Sequence, residues 1–300
     1  MALPVTRACL YNYESYVRIT AGSRYPVLYH SYVDFLSLNR GGCMGNLSWG
    51  INYHLEDKVF VVTGGSRGIG LTIAELLLEQ GSKVAICGRK KEGLDAAQDA
   101  LKGGDRLMAV QAHAAKPDDV DNLFNQTLNT FGRLDGLIHN VGMNIISSVV
   151  DADAALWQKI IDSNLNAAFL CARKAGQVMR PQKQGKIVSV SSLAGKRSAP
   201  AMGIYGIAKA AVEMMTKVLA QELAMYNVQV NAVAPTMVRT QFSEPFWSNE
   251  ELYTQIVKTI PMGRIAEPIE VAHPILFLCS EAANFITGET LRVDGGASAI

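Results

Sequence analysis

The sequence predicts an α/β fold, a doubly wound parallel sheet of about seven strands with helices on both faces. Two features of the sequence carry this prediction. From Lys58 onward, short β-branched or apolar runs alternate with longer segments of helical periodicity. The short runs are apolar on both faces, which is typical of parallel strands covered by helices on both sides, and right-handed crossovers then wind the sheet in two directions.

The predicted strands are Val59–Thr63, Lys83–Cys87, Leu107–Gln111, Leu137–His139, Lys186–Ser191, Val228–Ala234 and Thr290–Val293. The predicted helices between them are Ile69–Gln80, Glu92–Lys102, Pro117–Phe131, Ala154–Met179, Gly203–Met225 and Pro268–Cys279. The alternation shows no domain boundary and no solenoid-type repeat, so residues 56–300 are predicted to form a single domain.

Residues 1–55 are predicted to be a poorly ordered leader. Six of the ten tyrosines lie before residue 44, in a stretch without the periodic apolar face that indicates structure. No apolar core followed by a small-residue cleavage site is present, which argues against a secretory signal. An organellar transit peptide is the alternative, although the acids Glu14 and Asp34 weaken it.

The composition excludes several classes of protein. Hydrophobic residues make up 49% and charged residues 18%, which excludes a disordered chain, and a net charge of +1 gives no footprint for nucleic acid or an anionic membrane. No apolar run approaches the roughly 20 residues of a membrane-spanning helix. The five cysteines are scattered without a CxxC pair, so neither a disulfide framework nor a metal site is predicted, and a reducing, cytoplasmic location is expected.

A glycine-rich turn, Thr63-Gly64-Gly65-Ser66-Arg67-Gly68-Ile69-Gly70, follows the first strand and opens directly into a helix. The glycines allow a tight turn and a close approach to phosphate, and the helix N-terminus favours an anion, so the turn predicts a dinucleotide site. The same turn contains a Gly-x-Ser-x-Gly pattern, so a serine hydrolase with Ser66 as nucleophile is an alternative. That alternative needs a late histidine, and the one candidate, His273, lies in a predicted helix start.

The end of the second strand indicates which cofactor binds. An NAD site usually has an acid there for the ribose 2′-hydroxyl, whereas this sequence has Arg89 and Lys90. Arg89 and Arg67 could bind a 2′-phosphate through charge-assisted hydrogen bonds. One such bond, of about 1.5–3 kcal/mol, favours the phosphorylated cofactor by roughly ten- to a hundredfold. NADP(H) is therefore predicted over NAD(H).

Tyr205 and Lys209 stand four residues apart at the start of a predicted helix, so their side chains share one face. An ammonium about 4 Å from the phenol supplies roughly the 4 kcal/mol that lowers the tyrosine pKa from about 10 toward neutral. The pair therefore predicts a group that donates and accepts a proton. Ser192 closes the fifth predicted strand, at the sheet edge where ligands bind, and Asn164 lies inside the preceding long helix.

Together these residues resemble the classical short-chain dehydrogenase/reductase family, over residues 56–300. The motifs that carry the resemblance are Thr63-Gly64-x-x-x-Gly68-x-Gly70, Asn140-x-Gly142, Asn164, Ser192, Tyr205-x-x-x-Lys209 and Val293-Asp294-Gly295-Gly296. The resemblance implies a Rossmann-type catalytic domain that interconverts a ketone or aldehyde and an alcohol by hydride transfer. A protein that keeps the fold and senses the dinucleotide without catalysis is a further alternative, which the intact motifs disfavour.

The resemblance also implies roles for single residues. Tyr205 would be the general acid/base, Ser192 would polarise the substrate carbonyl, and Lys209 would lower the tyrosine pKa and bind the nicotinamide ribose. Asn164 would hold a water in a proton relay. The predicted cofactor contacts are Gly64, Ser66, Arg67, Gly68, Ile69, Gly70, Arg89, His113, Asn140, Val141, Gly142, Tyr205, Lys209, Pro235, Val238 and Thr240.

Three positions depart from the family's pattern: His139 replaces the first Asn of Asn-Asn-Ala-Gly, His113 stands near the usual Asp, and Thr236 follows Pro235. Residues 236–262 resemble the family's mobile substrate lid. Their aromatic residues, together with nearby methionines, favour an apolar small-molecule carbonyl or alcohol substrate, although a core or interface role is equally open. The resemblance further implies a homotetramer, for which Ala-rich stretches at 167–175 and 208–211 would permit close helix packing.

Overall fold

The structure is a computed structural model, and it describes residues 49–199 and 202–299. Residues 1–48 lie outside the described residues, so the leader prediction for them stays a prediction. Residues 49–55 lie against the domain. Leu55 is buried in the core, the ring of Trp49 stacks on His273 at a centroid distance of 4.3 Å, and the Tyr53 hydroxyl lies 2.8 Å from Nδ1 of His273.

A sheet of seven parallel strands, in the order β3-β2-β1-β4-β5-β6-β7, forms the centre of the described domain. The strands are β1 (Val59–Thr63), β2 (Lys83–Gly88), β3 (Leu107–Gln111), β4 (Gly136–His139), β5 (Gly185–Val190), β6 (Val228–Pro235) and β7 (Thr290–Val293). Each neighbouring pair is parallel. The predicted fold class is confirmed.

The helices are α1 (Gly68–Glu79), α2 (Lys91–Leu101), α3 (Pro117–Phe131), α4 (Ala154–Ile161), α5 (Ala167–Gln182), α6 (Gly203–Leu223), α7 (Glu244–Trp247), α8 (Glu250–Val257) and α9 (Pro268–Cys279). Helices α7 and α8 lie in the segment compared with a lid and were not predicted as helices. None of the helices in the described residues is long and apolar enough to cross a membrane.

The predicted helix Ala154–Met179 is continuous in the structure and extends to Gln182, but it is not uniformly α-helical, because a π-helical turn, Asp162–Asn166, stands between α4 and α5. The amide of Asn164 donates to the carbonyl oxygen of Ile160 at 2.8 Å. The N–H of Ala167 then reaches the carbonyl of Asp162, five residues back, rather than four. The wider turn is the local consequence of a polar side chain that bonds to its own helix.

The hydrophobic core lies in two layers, one on each face of the sheet. Helices α1, α2 and α9 cover one face, and their apolar side chains meet Phe60, Val62 and Ile86. Helices α3, α5 and α6 cover the other face and meet Val61 and Leu137. The chain reverses its winding between β1 and β4, and the carboxyl ends of these two strands therefore leave a crevice at the sheet edge.

Candidate active site

A cavity of about 770 Å³ lies along the carboxyl ends of the strands, within the range of small-molecule and cofactor sites. The predicted site residues that line it are Gly64, Ser66, Arg67, Gly68, Ile69, Arg89, His113, Asn140, Val141, Gly142, Ser192, Tyr205, Lys209, Pro235, Val238 and Thr240. Two predicted residues, Gly70 and Asn164, do not line it. Residues that are distant in the sequence are therefore brought to one cavity.

The glycine turn, residues 64–70, packs against the segment that follows β4. Gly64 and Gly68 have φ values of +67° and +53°, a conformation that L side chains rarely adopt. A Cβ at Gly70 would lie 2.3 Å from the carbonyl oxygen of Gly64, so only glycine permits this approach of α1 to the turn. Nδ2 of Asn140 donates to the same carbonyl at 3.3 Å. Gly70 therefore acts in packing rather than at the cavity surface.

The N-terminus of α1 is open to an anion. Arg67, at the N-cap, makes no side-chain capping hydrogen bond, and no acid lies in the first turn, so the first N–H groups have no side-chain acceptor. Arg67, Arg89 and Lys90 line the cavity, whereas no Asp or Glu of the described residues does. An uncapped helix terminus and a set of cations without acids fit the phosphates of a dinucleotide.

Arg67 also joins the glycine turn to the segment after β6. Its Nη1 donates to Oε1 of Gln241 at 2.7 Å. A Cβ at Gly68 would lie 3.3 Å from the methyl group of Thr240, which shows how closely this segment covers the turn. Nε1 of Trp247 in turn donates to the carbonyl of Thr240 at 3.2 Å. The segment is thus fixed over the mouth of the predicted cofactor site.

Tyr205 and Lys209 lie buried near the start of α6, with exposures of 9% and 3%. Nζ of Lys209 lies 5.6 Å from the centroid of the Tyr205 ring and donates to the carbonyl of Val190 at 2.9 Å. Burial lowers the pKa of Lys209 to about 8. Burial also raises the pKa of Tyr205 to about 12, with an opposing effect of a hydrogen bond to Ser192.

The tyrosine pKa therefore moves in the direction opposite to the one that the sequence predicts. The physical reason is desolvation, because a buried phenolate loses its water, and this loss outweighs the opposing effect of the hydrogen bond to Ser192. At neutral pH the resting site holds a protonated phenol beside a charged ammonium.

Ser192 follows the end of β5 and begins a 3₁₀ turn, Leu193–Gly195. Its Oγ accepts the N–H of Ala194 at 3.2 Å, so its own hydrogen can be donated to a ligand. The neighbouring Ser191 differs, because its hydroxyl donates to Oε1 of Glu213 at 3.0 Å. The hydroxyl of Ser191 is therefore engaged within the protein, whereas the hydroxyl of Ser192 can donate a hydrogen bond in the cavity.

Asn164 is fully buried behind the cavity wall. Its amide group is clamped to Met143, from whose N–H it accepts at 3.2 Å and to whose carbonyl it donates at 2.7 Å. A Cβ at Gly142 would lie 3.0 Å from Oδ1 of Asn164 and 3.2 Å from Nζ of Lys209. Asn164 thus holds the segment after β4 close to the lysine, and its predicted role in a water relay stays a prediction.

The two histidines at positions that depart from the family are both fixed by neighbours. Nδ1 of the buried His139 lies 3.1 Å from Oγ1 of Thr63. His113 lines the cavity, its N–H donates to Asp119 at 2.7 Å, and its Nδ1 accepts the N–H of Ala115 at 3.2 Å. An imidazole edge therefore stands where a carboxylate is usual in the family.

The geometry gives no support to the hydrolase alternative. Within residues 49–199 and 202–299, no hydrogen bond links Ser66 to a histidine or a carboxylate. The late histidine, His273, lies in α9 and contacts Tyr53 and Trp49 instead. A nucleophilic serine needs a base within hydrogen-bond reach, and Ser66 has none there.

Comparison with known proteins agrees with this geometry. A family model described as enoyl-(acyl carrier protein) reductase matches residues 64–298. A 3-oxoacyl-[acyl-carrier-protein] reductase of Synechocystis is 39% identical over 245 residues, which cover 81% of this chain and 97% of that protein. An NAD-dependent glycerol dehydrogenase of Listeria innocua is 35% identical over 245 residues, covering 82% and 95%. The crystal structure of gox2181 shares 32% identity and a TM-score of 0.80, covering 83% of this chain and 98% of that one.

The chain belongs to the short-chain dehydrogenase/reductase family, which confirms the resemblance. It is an oxidoreductase of the family that acts on CH–OH groups with a nicotinamide dinucleotide. The names of the two relatives differ in substrate, and one of them specifies NAD. The family therefore leaves the cofactor preference and the substrate of this chain to be argued from its own residues.

The sequence prediction missed several cavity residues, among them Lys90, Arg197, Gln241, Ser243 and Ile256. Lys90 had a signal in its position next to Arg89, and Gln241, Ser243 and Ile256 lie in residues 236–262, which were compared with a lid without being predicted as single contacts. Arg197 had no signal in the sequence.

Proposed function

We propose that the protein is an NADP(H)-dependent oxidoreductase that interconverts a ketone or aldehyde and an alcohol, with Tyr205 as general acid/base. The observation that carries the proposal is that the buried Tyr205 and Lys209 and the half-buried Ser192 line one cavity, which begins at an uncapped helix N-terminus. A bound nicotinamide supplies or accepts the hydride. The chain's own residues supply the proton and hold the oxygen of the substrate.

In the reductive direction, the phenol of Tyr205 donates its proton to the substrate oxygen. With a pKa of about 12 the phenol is protonated at neutral pH, as a proton donor must be. Ser192 donates a second hydrogen bond to the same oxygen. The ammonium of Lys209, charged below its pKa of about 8, stabilises the phenolate that remains. These three groups make the oxygen easier to protonate as the hydride reaches the carbon.

The preference for NADP(H) rests on charge. Arg89 and Lys90 line the cavity at the end of β2, and no carboxylate of the cavity lining opposes a 2′-phosphate. Arg67 has one nitrogen engaged with Gln241 and retains further N–H groups for an anion. A carboxylate in this place would repel the 2′-phosphate of NADP(H), and it would instead accept a hydrogen bond from the ribose 2′-hydroxyl of NAD(H).

The test uses the purified full-length chain with NADPH or NADH and a panel of ketones, followed by the absorbance of the cofactor. Tyr205→Phe removes the proton donor, and we expect turnover to fall by at least about 100-fold. Tyr226→Phe is the matched control, because Tyr226 packs under Arg180 and does not line the cavity. Ser66→Ala should retain turnover.

Four results would overturn the proposal. Equal losses in the Tyr205 and Tyr226 variants would show that the phenol is structural. Ester hydrolysis that the wild type performs and Ser66→Ala loses would favour the hydrolase, and wild-type protein that binds NADPH but reduces none of the ketones would favour a non-catalytic sensor. Reduction of an enoyl thioester in place of the ketones would move the chemistry from C=O to C=C.

We further propose a homotetramer, assembled partly through α6. Ile207, Met214 and Val218 are 45%, 59% and 46% exposed along this helix, and Phe169 on α5 is 48% exposed. Apolar side chains of this size are costly to leave in water. Sedimentation of the wild type and of Met214→Glu tests the proposal, and a monomeric wild type would refute it. The cytoplasmic location stays a prediction.

A further inference from the structure

The cavity that Tyr205 and Ser192 line also has apolar lining residues and an exposed cation outside the predicted cofactor contacts. The apolar side chains are Met143, Leu193, Met202, Met237, Phe242 and Ile256, and the ring of Phe242 lies 6.4 Å from that of Tyr205. Arg197 lines the same cavity and is exposed. It is separated in sequence from Arg67, Arg89 and Lys90, to which the proposed function assigns the 2′-phosphate.

Arg197 is held in place by neutral groups. Its backbone N–H donates to the carbonyl of Leu193 at 3.1 Å, which continues the turn that begins at Ser192. Its Nη1 donates to the carbonyl of Ala297 at 2.7 Å. These acceptors orient the guanidinium without neutralising its charge, and the other N–H groups of the guanidinium remain as donors.

No acid of the described residues balances this charge. The arginines that form ion pairs there are Arg133, Arg239 and Arg264. Within residues 49–199 and 202–299, Arg197 forms no ion pair and no Asp or Glu lines the cavity. A fixed cation beside an apolar wall attracts an anion more strongly than one in open water, because the wall lowers the local dielectric constant.

From these contacts we infer that the substrate carries an anionic group, a carboxylate or a phosphate, and that Arg197 binds it. This inference rests on the proposed function, since it concerns the carbonyl compound that Tyr205 would protonate. Arg197 follows Ser192 by five residues and lies just beyond the 3₁₀ turn Leu193–Gly195. The proposed substrate therefore carries its anionic group apart from the reacting carbonyl, on an apolar chain that the methionines and Phe242 would contact.

The test compares an apolar oxo acid with its methyl ester as substrates of the full-length protein. We expect the wild type to prefer the acid, and Arg197→Ala to lower the acid-over-ester ratio of kcat/KM by about 10- to 100-fold, mainly through the KM of the acid. Arg197→Lys keeps the charge and should restore part of the ratio. Lys196→Ala is the control, because this neighbouring exposed cation does not line the cavity. A ketone with a phosphate in place of the carboxylate distinguishes the two sources of charge.

Calorimetry of the oxo acid with NADP⁺-loaded protein gives a readout that does not depend on turnover. Weaker binding in Arg197→Ala than in Lys196→Ala supports the inference. An unchanged acid-over-ester ratio in Arg197→Ala would overturn it, and so would equal losses on acid and ester, which would indicate that Arg197 acts through its bond to Ala297. Failure of the proposed function looks different, because the wild type would then reduce neither compound.

Discussion

Replacing His139 by Asn tests how the segment after β4 is held. His139 is 1% exposed, and its Nε2 has no hydrogen-bond partner in the described residues. Oγ1 of Thr63 accepts the N–H groups of Asn140 and Val141 at 3.1 and 3.4 Å, so its single hydrogen is donated to Nδ1 of His139. The ring is therefore neutral with its proton on Nε2, and a second proton on Nδ1 would break this bond.

Burial lowers the pKa of His139 to about 3, and the charge of Lys209 adds to the effect. The folded-state pKa lies below the unfolded value of about 6.5, so this stabilisation is complete above pH 6.5 and is lost as the pH falls toward 3. Each pH unit within that window corresponds to about 1.4 kcal/mol. Between pH 7.5 and 5.0, the wild type should thus lose about 2 kcal/mol of unfolding free energy that His139→Asn retains.

Urea unfolding followed by circular dichroism, at one protein concentration, measures this difference at each pH. His139→Asn also changes the packing, which shifts its stability by an amount that does not depend on pH. The slope of the difference against pH is therefore the informative quantity, and His139→Gln should give the same slope. A difference between variant and wild type that is constant from pH 7.5 to 5.0 would refute the buried, neutral histidine.

Arg89→Ala should reduce the preference for NADPH over NADH by about 10- to 100-fold in Kd, measured by cofactor fluorescence, and an unchanged ratio would contradict the assignment of the 2′-phosphate to this residue. Gly70→Ala places a methyl group 2.3 Å from the carbonyl oxygen of Gly64 and should destabilise the protein by about 1–3 kcal/mol in urea unfolding. Gly93 lies in a helix, and a Cβ there would be 3.8 Å from its nearest atom, so Gly93→Ala should instead stabilise the protein by up to about 1 kcal/mol. Equal effects of the two substitutions would show that the contact between Gly70 and Gly64 does not control stability. Gln241→Ala should speed cofactor release in stopped-flow fluorescence, because the segment after β6 loses the hydrogen bond that Gln241 accepts from Arg67 in the glycine turn. An unchanged release rate would show that this bond does not restrain the segment.

The order of elements could be predicted because most strands are largely apolar and the longer helices have a periodic apolar stripe. The π-helical turn between α4 and α5 could not be predicted, because it depends on the amide of Asn164, which donates hydrogen bonds to the carbonyl of Ile160 in its own helix and to that of Met143 in a distant segment. Helix α8 was missed although Tyr253, Ile256 and Val257 recur at helical spacing and pack against a core cluster, because the helix has only eight residues and none of them is fully buried.

The candidate site shows the same division between what spacing fixes and what it leaves open. The four-residue spacing of Tyr205 and Lys209 places both side chains on one face of α6, as predicted. The spacing of two residues in the sequence does not show how far their side chains are removed from water, and this burial decides whether the pKa of each group rises or falls. The loss of water on burial raises the pKa of the tyrosine and lowers that of the lysine, and each change corresponds to about 3 kcal/mol.

The raised pKa of Tyr205 and the lowered pKa of Lys209 both favour the state in which the phenol keeps its proton. In the proposed reaction, that form is the one which reduction of a carbonyl would consume, whereas oxidation of an alcohol would begin from the phenolate. Under the proposed function, the pKa of Tyr205 therefore favours the reductive direction at neutral pH. The hydrogen bond to Ser192 opposes the rise of the tyrosine pKa but does not overcome the desolvation of the buried phenol.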